Sequence, residues 1–372
     1  MFTSLHSSRF NHVAILIALA SILAGCGGYS NPSGNPNPTS SQQFTYVANN
    51  ADNSISVFTS DLATGQLQAN GSVPSGGTAP NAIASDPAGK FLYAANNRSN
   101  NVSGFTVNAT TGALQLIEPP VAAGDGPRFV TVDSTGKFLY VVNVASNDVS
   151  AFAINANTGS LTAIGLPIAA GTTPVSVTAD PSGRFLYVTN SVSGDVSMFS
   201  INQQSGVLTT IAPPVPVGIN PSSIAIHPTR KFAYVSNASS NNVLEFAIDD
   251  ATGALSPISN PVSAGELPLS IKIDPSGRFA YVANLSSRNV SMFAINAITG
   301  ALTEIDTPVV SGDGPVSVSI DRTGHFAYVA NFISDDVSTF TINPINGALT
   351  SVGMPNHTGS APLSVLTTGR AR

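Results

Sequence analysis

The chain has 372 residues, of which 42% are hydrophobic and only 9% are charged. An ordinary soluble domain carries about 25% charged residues. The net charge of −6 argues against a nucleic-acid ligand, which selects a basic face. A single cysteine excludes an intrachain disulfide framework and any cysteine-rich zinc or iron–sulfur site.

Residues 1–25 have the pattern of a secretory signal peptide. Arg9 precedes an apolar run at 13–20 that is too short for an ordinary membrane span. The following Leu23-Ala24-Gly25-Cys26 resembles a bacterial lipobox, in which the cysteine is lipidated before the signal is cleaved. This resemblance implies that acyl chains on Cys26 anchor an exported protein in the bacterial cell envelope, on the periplasmic face or at the cell surface.

Residues 26–42 are predicted to be the lipidated cysteine and a flexible tether. Positions 27–42 contain no charged side chain and almost no apolar one, so they cannot bury a core. Fully extended, this stretch would reach about 50 Å at ~3.1 Å per residue. We therefore expect the tether to connect the membrane to a folded domain at 43–372.

That domain consists of seven copies of a repeat with a spacing of 47 residues. Its anchor is Phe-x-Tyr-[Val/Ala]-x-Asn, which starts at Phe44, Phe91, Phe138, Phe185, Phe232, Phe279 and Phe326. A proline recurs with the same spacing of 47 residues, at Pro80, Pro127, Pro174, Pro221, Pro268, Pro315 and Pro362. Repeats of this length are typical of propellers, arrays and solenoids.

Each repeat alternates apolar and polar residues with the period of a strand. Within 174–220 the pattern predicts strands at 175–179, 185–188, 196–201 and 207–211. Asp-Pro-Ser-Gly at 180–183 predicts a tight turn between the first two strands. No window shows helical periodicity. The sequence therefore predicts an all-β, seven-bladed propeller with four strands in each blade.

The ends of the domain predict how the ring closes. The domain starts at Phe44 in the second strand of a repeat and ends at 361–367 with a first strand. We expect this C-terminal strand to complete the blade that begins at Phe44, because closure removes open sheet edges.

The same motifs resemble a known family. Asp-Pro-Ser-Gly-Arg-Phe-Leu-Tyr-Val at 180–188 and Phe-Ala-Ile-Asn-Ala-Asn-Thr-Gly-Ser-Leu at 152–161 are similar to the YVTN-type repeats of lactonase-like seven-bladed propellers. That family includes bacterial 6-phosphogluconolactonase and carboxymuconate lactonising enzymes. The resemblance covers 43–372 and implies, for an active member, hydrolysis of a lactone ring, which is a cyclic ester.

The resemblance also implies a site at the mouth of the central channel. Family enzymes place an arginine after the first-strand proline, and here that position is filled by arginine only at Arg128. Phe129 stands where the enzymes often have histidine, and no blade has the glutamate expected after the strand asparagine; Val144 occupies that place in the repeat of Arg128. The second family arginine is also missing from every repeat.

Opening a lactone needs a base to activate water and a donor to hold the developing oxyanion. Arg128 can hold a carboxylate or phosphate through two hydrogen bonds, but it is no base at neutral pH. Asp125, Glu266 and His357 are predicted on loops near the mouth and are the remaining catalytic candidates. His227 and His325 fall in turns predicted on the opposite face, where we expect solvated side chains.

No cofactor or metal is expected. Asp335-Asp336 lacks the spacing of a calcium loop. Serines two positions after the repeat proline are expected to pack the innermost strands rather than to act as nucleophiles, because no base lies near them in sequence. They are Ser176, Ser223, Ser270, Ser317 and Ser364.

Three hypotheses remain for function. The chain is a lipid-anchored hydrolase of an envelope lactone, a non-catalytic propeller that binds a glycan, peptide or protein at its face, or a structural surface protein of YVTN type. The missing glutamate, histidine and second arginine disfavour the first, and export disfavours a phosphorylated intracellular substrate. The sequence therefore predicts the family and leaves the activity open.

Overall fold

A computed structural model describes residues 43–368, which form seven antiparallel sheets arranged as the blades of a propeller. The predicted signal peptide, Cys26 and tether lie outside the described residues. Within 43–368 no helix is long and apolar enough to cross a membrane. The all-β, seven-bladed architecture predicted from the repeat is confirmed.

The strands are numbered in chain order and grouped by blade. Blade 1 begins with β1 (Gln43–Asn49), β2 (Ser54–Ser60) and β3 (Leu67–Pro74), and blade 2 contains β4 (Pro80–Ser85), β5 (Phe91–Asn96), β6 (Asn101–Val107) and β7 (Leu114–Ala122). Blade 3 contains β8 (Pro127–Val132), β9 (Phe138–Asn143), β10 (Asp148–Ile154), β11 (Leu161–Ala163) and β12 (Ile168–Ala169). Blade 4 contains β13 (Pro174–Ala179), β14 (Phe185–Asn190), β15 (Asp195–Ile201) and β16 (Leu208–Pro216).

The remaining blades repeat this order. Blade 5 contains β17 (Pro221–Ile226), β18 (Phe232–Asn237), β19 (Asn242–Ile248), β20 (Leu255–Pro257) and β21 (Val262–Ser263). Blade 6 contains β22 (Pro268–Ile273), β23 (Phe279–Asn284), β24 (Asn289–Ile295), β25 (Leu302–Glu304) and β26 (Val309–Val310). Blade 7 contains β27 (Pro315–Ile320), β28 (Phe326–Asn331), β29 (Asp336–Ile342), β30 (Leu349–Ser351) and β31 (Asn356–His357), and β32 (Pro362–Thr368) ends the described chain.

Each blade has four strands. In blades 3, 5, 6 and 7 the outermost strand is split into two short segments, and both segments pair with the third strand of the blade. The second strand of every blade is buried along its whole length, because blades pack against both of its faces. Burial on both faces explains why these strands read as continuous apolar runs rather than as alternating ones.

Two faces of the propeller are distinguished by their loops. The mouth face carries the loops from second to third strands and the links between blades. The turn face carries the turns from first to second strands and from third to fourth strands. In the turn after β13, Asp180 accepts hydrogen bonds from the backbone N–H groups of Arg184 at 2.7 Å and Phe185 at 2.8 Å. Gly183 supplies the left-handed φ of 69° that this turn needs.

Neighbouring blades are joined by a contact that recurs at all seven interfaces. The Tyr187 hydroxyl of blade 4 donates a hydrogen bond to the Gly253 carbonyl of blade 5 at 2.9 Å. The ring of Phe185 lies so close that a Cβ on Gly253 would come within 2.5 Å of it. The repeated glycine is therefore required by a neighbouring blade as well as by its own turn.

The ring closes as predicted. Strand β32 pairs antiparallel with β1, with Phe44 opposite Thr368 and Val47 opposite Val365. Blade 1 is therefore made from both ends of the domain. All seven blades, their core and the closing pair lie within 43–368, so this segment contains a complete fold.

Candidate functional site

A cavity occupies the central channel of the propeller. It has a volume of about 650 Å³ and is lined by the first strands of all seven blades. This volume suits a small-molecule ligand. Its walls combine aliphatic side chains with the hydroxyl and amide groups of serine, threonine and asparagine.

A β-bulge turns one residue of each first strand toward the channel. In blade 3, Pro127 is opposite Asn143 and Phe129 is opposite Val142, so Arg128 has no partner on the neighbouring strand. Bulges commonly re-aim a side chain in this way. The same position lines the channel in every blade, as Asn81, Arg128, Val175, Ser222, Leu269, Val316 and Leu363. The position expected from the family resemblance therefore faces the cavity.

Lys272 is a second channel cation that the sequence analysis does not single out. It lies on β22, four positions after Pro268, and it lines the same cavity as Arg128. Arg128 is one residue after its repeat proline and Lys272 is four residues after its own. At about 3.3 Å per residue, this difference of three positions places Lys272 roughly 10 Å deeper in the channel. Blades 3 and 6 are three apart in a ring of seven, so the two cations lie on roughly opposite sides.

Enclosure by the channel walls lowers the pKa of both Arg128 and Lys272, because the walls displace bulk water that would stabilise the charged forms. Both side chains still reach the water in the channel and are exposed to it. Within 43–368 the ion pairs join Arg184 and Arg230 to Asp250, and Arg288 to Asp313. Neither channel cation is neutralised by such a pair.

The lining residues of the channel include no aspartate, glutamate or histidine. The two cations are therefore the only charged groups in this lining. Electrostatic focusing by low-dielectric walls makes such a cavity attractive to an anion.

The three other candidate residues lie outside the channel lining. Asp125 is exposed on the mouth face and accepts a hydrogen bond from the Asn100 amide at 3.0 Å. Glu266 is exposed, and its backbone N–H donates to the Ser287 hydroxyl at 2.6 Å. His357 is exposed on the short outer strand β31. Of the four predicted catalytic residues, the structure places only Arg128 in the cavity.

Other mouth-face acids have structural partners. Asp148, Asp195 and Asp336 each accept a hydrogen bond from the asparagine that ends the preceding strand, at 2.7, 2.6 and 2.7 Å. Among the described residues, no group of three or more histidine, cysteine, aspartate or glutamate side chains could hold a metal ion.

A buried acid also lies away from the channel. Glu245 is 1% exposed, and one of its carboxylate oxygens accepts a hydrogen bond from the Leu302 N–H of blade 6 at 2.8 Å. The Ser259 hydroxyl donates to the other oxygen. Glu245 therefore joins blades 5 and 6 and cannot serve chemistry in the channel.

The prediction that His227 is solvated is wrong. Its side chain is 4% exposed, and Nε2 donates to the Gly277 carbonyl of the next blade at 2.7 Å. Nδ1 accepts the Thr229 backbone N–H at 3.1 Å, which specifies the neutral tautomer with hydrogen on Nε2. The histidine replaces the usual turn aspartate and binds a neighbouring blade instead. His325, in contrast, is exposed as expected.

Three of the five serines expected to pack the innermost strands join neighbouring blades through hydrogen bonds. Ser270, Ser317 and Ser364 accept backbone N–H groups from the first strand of the next blade, at 3.2, 3.2 and 3.3 Å. These donors are Val318, Val365 and Ile83. First strands are sheet edges, so the serines satisfy donors that otherwise lack a partner.

Fold and site together define a seven-bladed propeller with a cationic central channel. A family model described as "Lactonase, 7-bladed beta-propeller" matches residues 36–130, 116–177, 129–220 and 213–320. These matches span most of the chain, and the chain belongs to this family. Among curated proteins, none matches the sequence significantly.

Solved structures share the fold at low sequence identity. A candidate 6-phosphogluconolactonase from Bacteroides uniformis aligns with a TM-score of 0.79 and 19% identity, covering 88% of this chain and 100% of that one. A second from Bacteroides fragilis aligns with a TM-score of 0.78 and 22% identity, covering 90% and 100%. The periplasmic gluconolactonase PpgL from Pseudomonas aeruginosa aligns with a TM-score of 0.74 and 20% identity, covering 89% and 99%.

Proposed function

We propose that this chain is a lipid-anchored, extracytoplasmic Lactonase-family propeller that binds a small sugar acid, or the corresponding lactone, in its central channel. The observation that carries this proposal is the charge of the channel. Arg128 and Lys272 line it from opposite sides, and no carboxylate in the lining neutralises them. A carboxylate-bearing ligand matches that arrangement.

The residues present fit the chemistry of such a ligand. The planar guanidinium of Arg128 can bind a carboxylate through two hydrogen bonds, and Lys272 adds a compact charge deeper in the channel. Ser85, Thr131 and Asn81 provide hydroxyl and amide groups that can pair with sugar hydroxyls. Ring opening converts a neutral lactone to a carboxylate, so cations also favour the developing oxyanion and the product.

Binding is better supported than hydrolysis, because no carboxylate or imidazole lines the channel to activate water. Hydrolysis is the second candidate, and membership in the Lactonase family favours it. In that case the neutral amine of Lys272 would take a proton from the water whose oxygen bonds to the lactone carbonyl carbon, and would return it to the ring oxygen as the ring C–O bond breaks; its lowered pKa favours the neutral form. Arg128, on the other side of the channel, would hold an anionic or polar group elsewhere on the substrate.

Export and anchoring are supported by the sequence of residues 1–26. Lipidation of Cys26 would place the propeller outside the cytoplasm, at the end of the tether. One structural neighbour is described as a periplasmic gluconolactonase; that description applies to the neighbour. The named activity of this neighbour suggests gluconate and gluconolactone as the first probes for the channel of the present chain.

The test uses the segment 43–372, which contains all seven blades and the pair of strands that closes the ring. We expect titration calorimetry to detect gluconate or 6-phosphogluconate binding that Arg128→Ala weakens about tenfold or more, since charged hydrogen bonds contribute ~1.5–3 kcal/mol. Lys272→Met should also weaken binding. Arg98→Ala is the matched control, because Arg98 is exposed on the mouth face and does not line the channel.

A parallel assay of a lactone panel separates the two candidates. Turnover that falls in Arg128→Ala and Lys272→Met would establish the hydrolase. Binding without turnover would establish a binding propeller. If neither acids nor lactones bind, or if all three variants behave like the native chain, the channel is not the site.

A further inference from the structure

The charges of the propeller are divided between its two faces. The mouth face carries eight carboxylates and two arginines: Asp52, Asp125, Asp148, Asp195, Glu266, Asp313, Asp335 and Asp336, with Arg98 and Arg288. The turn face carries seven cations, namely Lys90, Lys137, Arg184, Arg230, Lys231, Arg278 and Arg322. The mouth face is therefore acidic.

The acids of the turn face are mostly buried. Asp61, Asp249 and Asp250 are exposed there, and Asp250 pairs with Arg184 and Arg230 at 2.8 and 3.3 Å. The other five carboxylates are buried turn residues that accept backbone N–H groups: Asp86, Asp133, Asp180, Asp274 and Asp321. Cations consequently dominate the solvent-facing side of this face.

Bulky aliphatic side chains stand at the tips of three turns on the same face. Ile298 is 89% exposed, Ile345 is 86% exposed and Leu62 is 45% exposed. They lie in the turns from third to fourth strands of blades 6, 7 and 1, which are consecutive in the ring. The matching turns of the other blades present small or polar residues such as Ala156 and Gln203.

The described chain also begins on this face. Strand β1 runs from Gln43 at the turn face to Asn49 at the mouth face, since Phe44 is opposite Thr368 at the end of a first strand. The predicted tether from Cys26 therefore joins the propeller at blade 1, beside Leu62. A lipid on Cys26 would hold this face within about 50 Å of the membrane at ~3.1 Å per residue.

We propose that the turn face of blades 6, 7 and 1 contacts the membrane that holds Cys26, and that the mouth face points away from it. The aliphatic tips insert among the headgroups, and the nearest cations, Arg278 of blade 6, Arg322 of blade 7 and Lys90 of blade 2, meet anionic lipids. Interfacial proteins combine apolar insertion with basic charge in this way.

The mouth face also exposes aliphatic side chains such as Val192 and Ile219, but its carboxylates would repel an anionic membrane. This inference rests on the proposed lipid anchor, and it predicts that ligands reach Arg128 from the side away from the membrane.

The test uses single-cysteine probes in the full lipidated chain. Cys26 is the only native cysteine, and its thiol is blocked when it carries a lipid. Ile345→Cys on the turn face and Ile333→Cys on the mouth face are matched, because both replace an exposed isoleucine. Each variant is labelled with an environment-sensitive fluorophore and reconstituted in vesicles of phosphatidylcholine with phosphatidylglycerol.

We expect the probe at 345 to shift its emission to the blue and to be quenched by a lipid-phase quencher, while the probe at 333 remains unchanged. Equal responses at both positions, or a response at 333 alone, would overturn the proposal. The response at 345 should decrease in vesicles of phosphatidylcholine alone, and an equal response there would contradict the role of the cations.

The parent chain without an added cysteine separates failure of the anchor from failure of the orientation. Fluorophore uptake by that chain would show a free Cys26 and would overturn the lipid anchor alone. The orientation is then tested with the same two probes in the segment 43–372 and anionic vesicles. A shift at 345 supports the membrane face without the anchor, and its absence rejects it.

Discussion

At the scale of single residues, the functional groups of this protein are departures from its repeat. Six of the seven blades place a neutral side chain at the bulge position where blade 3 has Arg128. Six place a neutral side chain where blade 6 has Lys272. Sevenfold repetition builds the cavity, and two substitutions in it give the cavity its charge.

The lowered pKa of Lys272 predicts how anion binding depends on pH. The amine attracts a carboxylate only when it is protonated, so affinity should be highest below its lowered pKa and fall as pH rises through it. The fall should therefore begin below the pH at which an ordinary lysine loses its proton. Arg128 keeps its charge throughout, so binding weakens without disappearing.

Calorimetric titration of segment 43–372 with gluconate between about pH 5 and 10 measures this effect, since the ligand carboxylate stays ionised over that range. Lys272→Met should bind more weakly than the native chain at the acidic end of this range and show a flat profile. An unchanged pH profile in Lys272→Met would assign the titration to another group.

At the scale of the structural elements, the blades are held together by buried polar contacts between fixed positions. The seven repeat tyrosines donate to glycine carbonyls of the neighbouring blade at 2.8 to 3.1 Å. Burial raises the pKa of these tyrosines above its ordinary value, so they remain protonated donors. His227 and Glu245 add similar bonds at single interfaces.

Removing one such hydroxyl tests the strength of this contact. Tyr187→Phe keeps the ring and leaves the Gly253 carbonyl without its donor, which should lower the free energy of unfolding by about 1–2 kcal/mol. Denaturant unfolding measures the change. Tyr281→Phe should behave alike, because its hydroxyl makes the equivalent bond to Gly347 at 2.8 Å. No loss at either site would mean that ring packing alone holds the interface.

At the scale of the whole molecule, stability depends on joining the two ends of the domain. Strand β32 is the first strand of blade 1 and also packs against its neighbours in the ring. The first and second strands of blade 1 come from opposite ends of the domain, so no turn joins them. Across this gap, the Arg322 side chain of blade 7 donates a hydrogen bond to the Pro87 carbonyl of blade 2. The C-terminal strand thus completes both one sheet and the ring.

Deleting residues 361–372 should therefore leave β1 with an open edge and sharply lower the melting temperature. Thermal unfolding by circular dichroism measures this change. Deleting only 370–372 is the control, because it leaves β32 intact and should have little effect. A melting temperature unaffected by the longer deletion would disprove the proposed contribution of closure.

Much of this architecture could be predicted from the sequence because the repeat is regular. Strand alternation, Asp-x-x-Gly turns and the phase of the two ends are local patterns, and they led to the correct blade number and closure. Arg128 could be singled out because the family resemblance implies an arginine after the first-strand proline, and only this repeat has one. Lys272 was not singled out, although it is the only charged residue at its position among the seven repeats.

The sequence by itself determined the number of blades, the strands within them and the pairing that closes the ring, because each depends on spacing along the chain. Only the tertiary structure decided which polar residues share a cavity. The channel is formed by strands hundreds of residues apart, and their bulges aim Arg128 into it while Asp125 remains outside. His227 became a buried donor for the same reason, since its partner belongs to another blade.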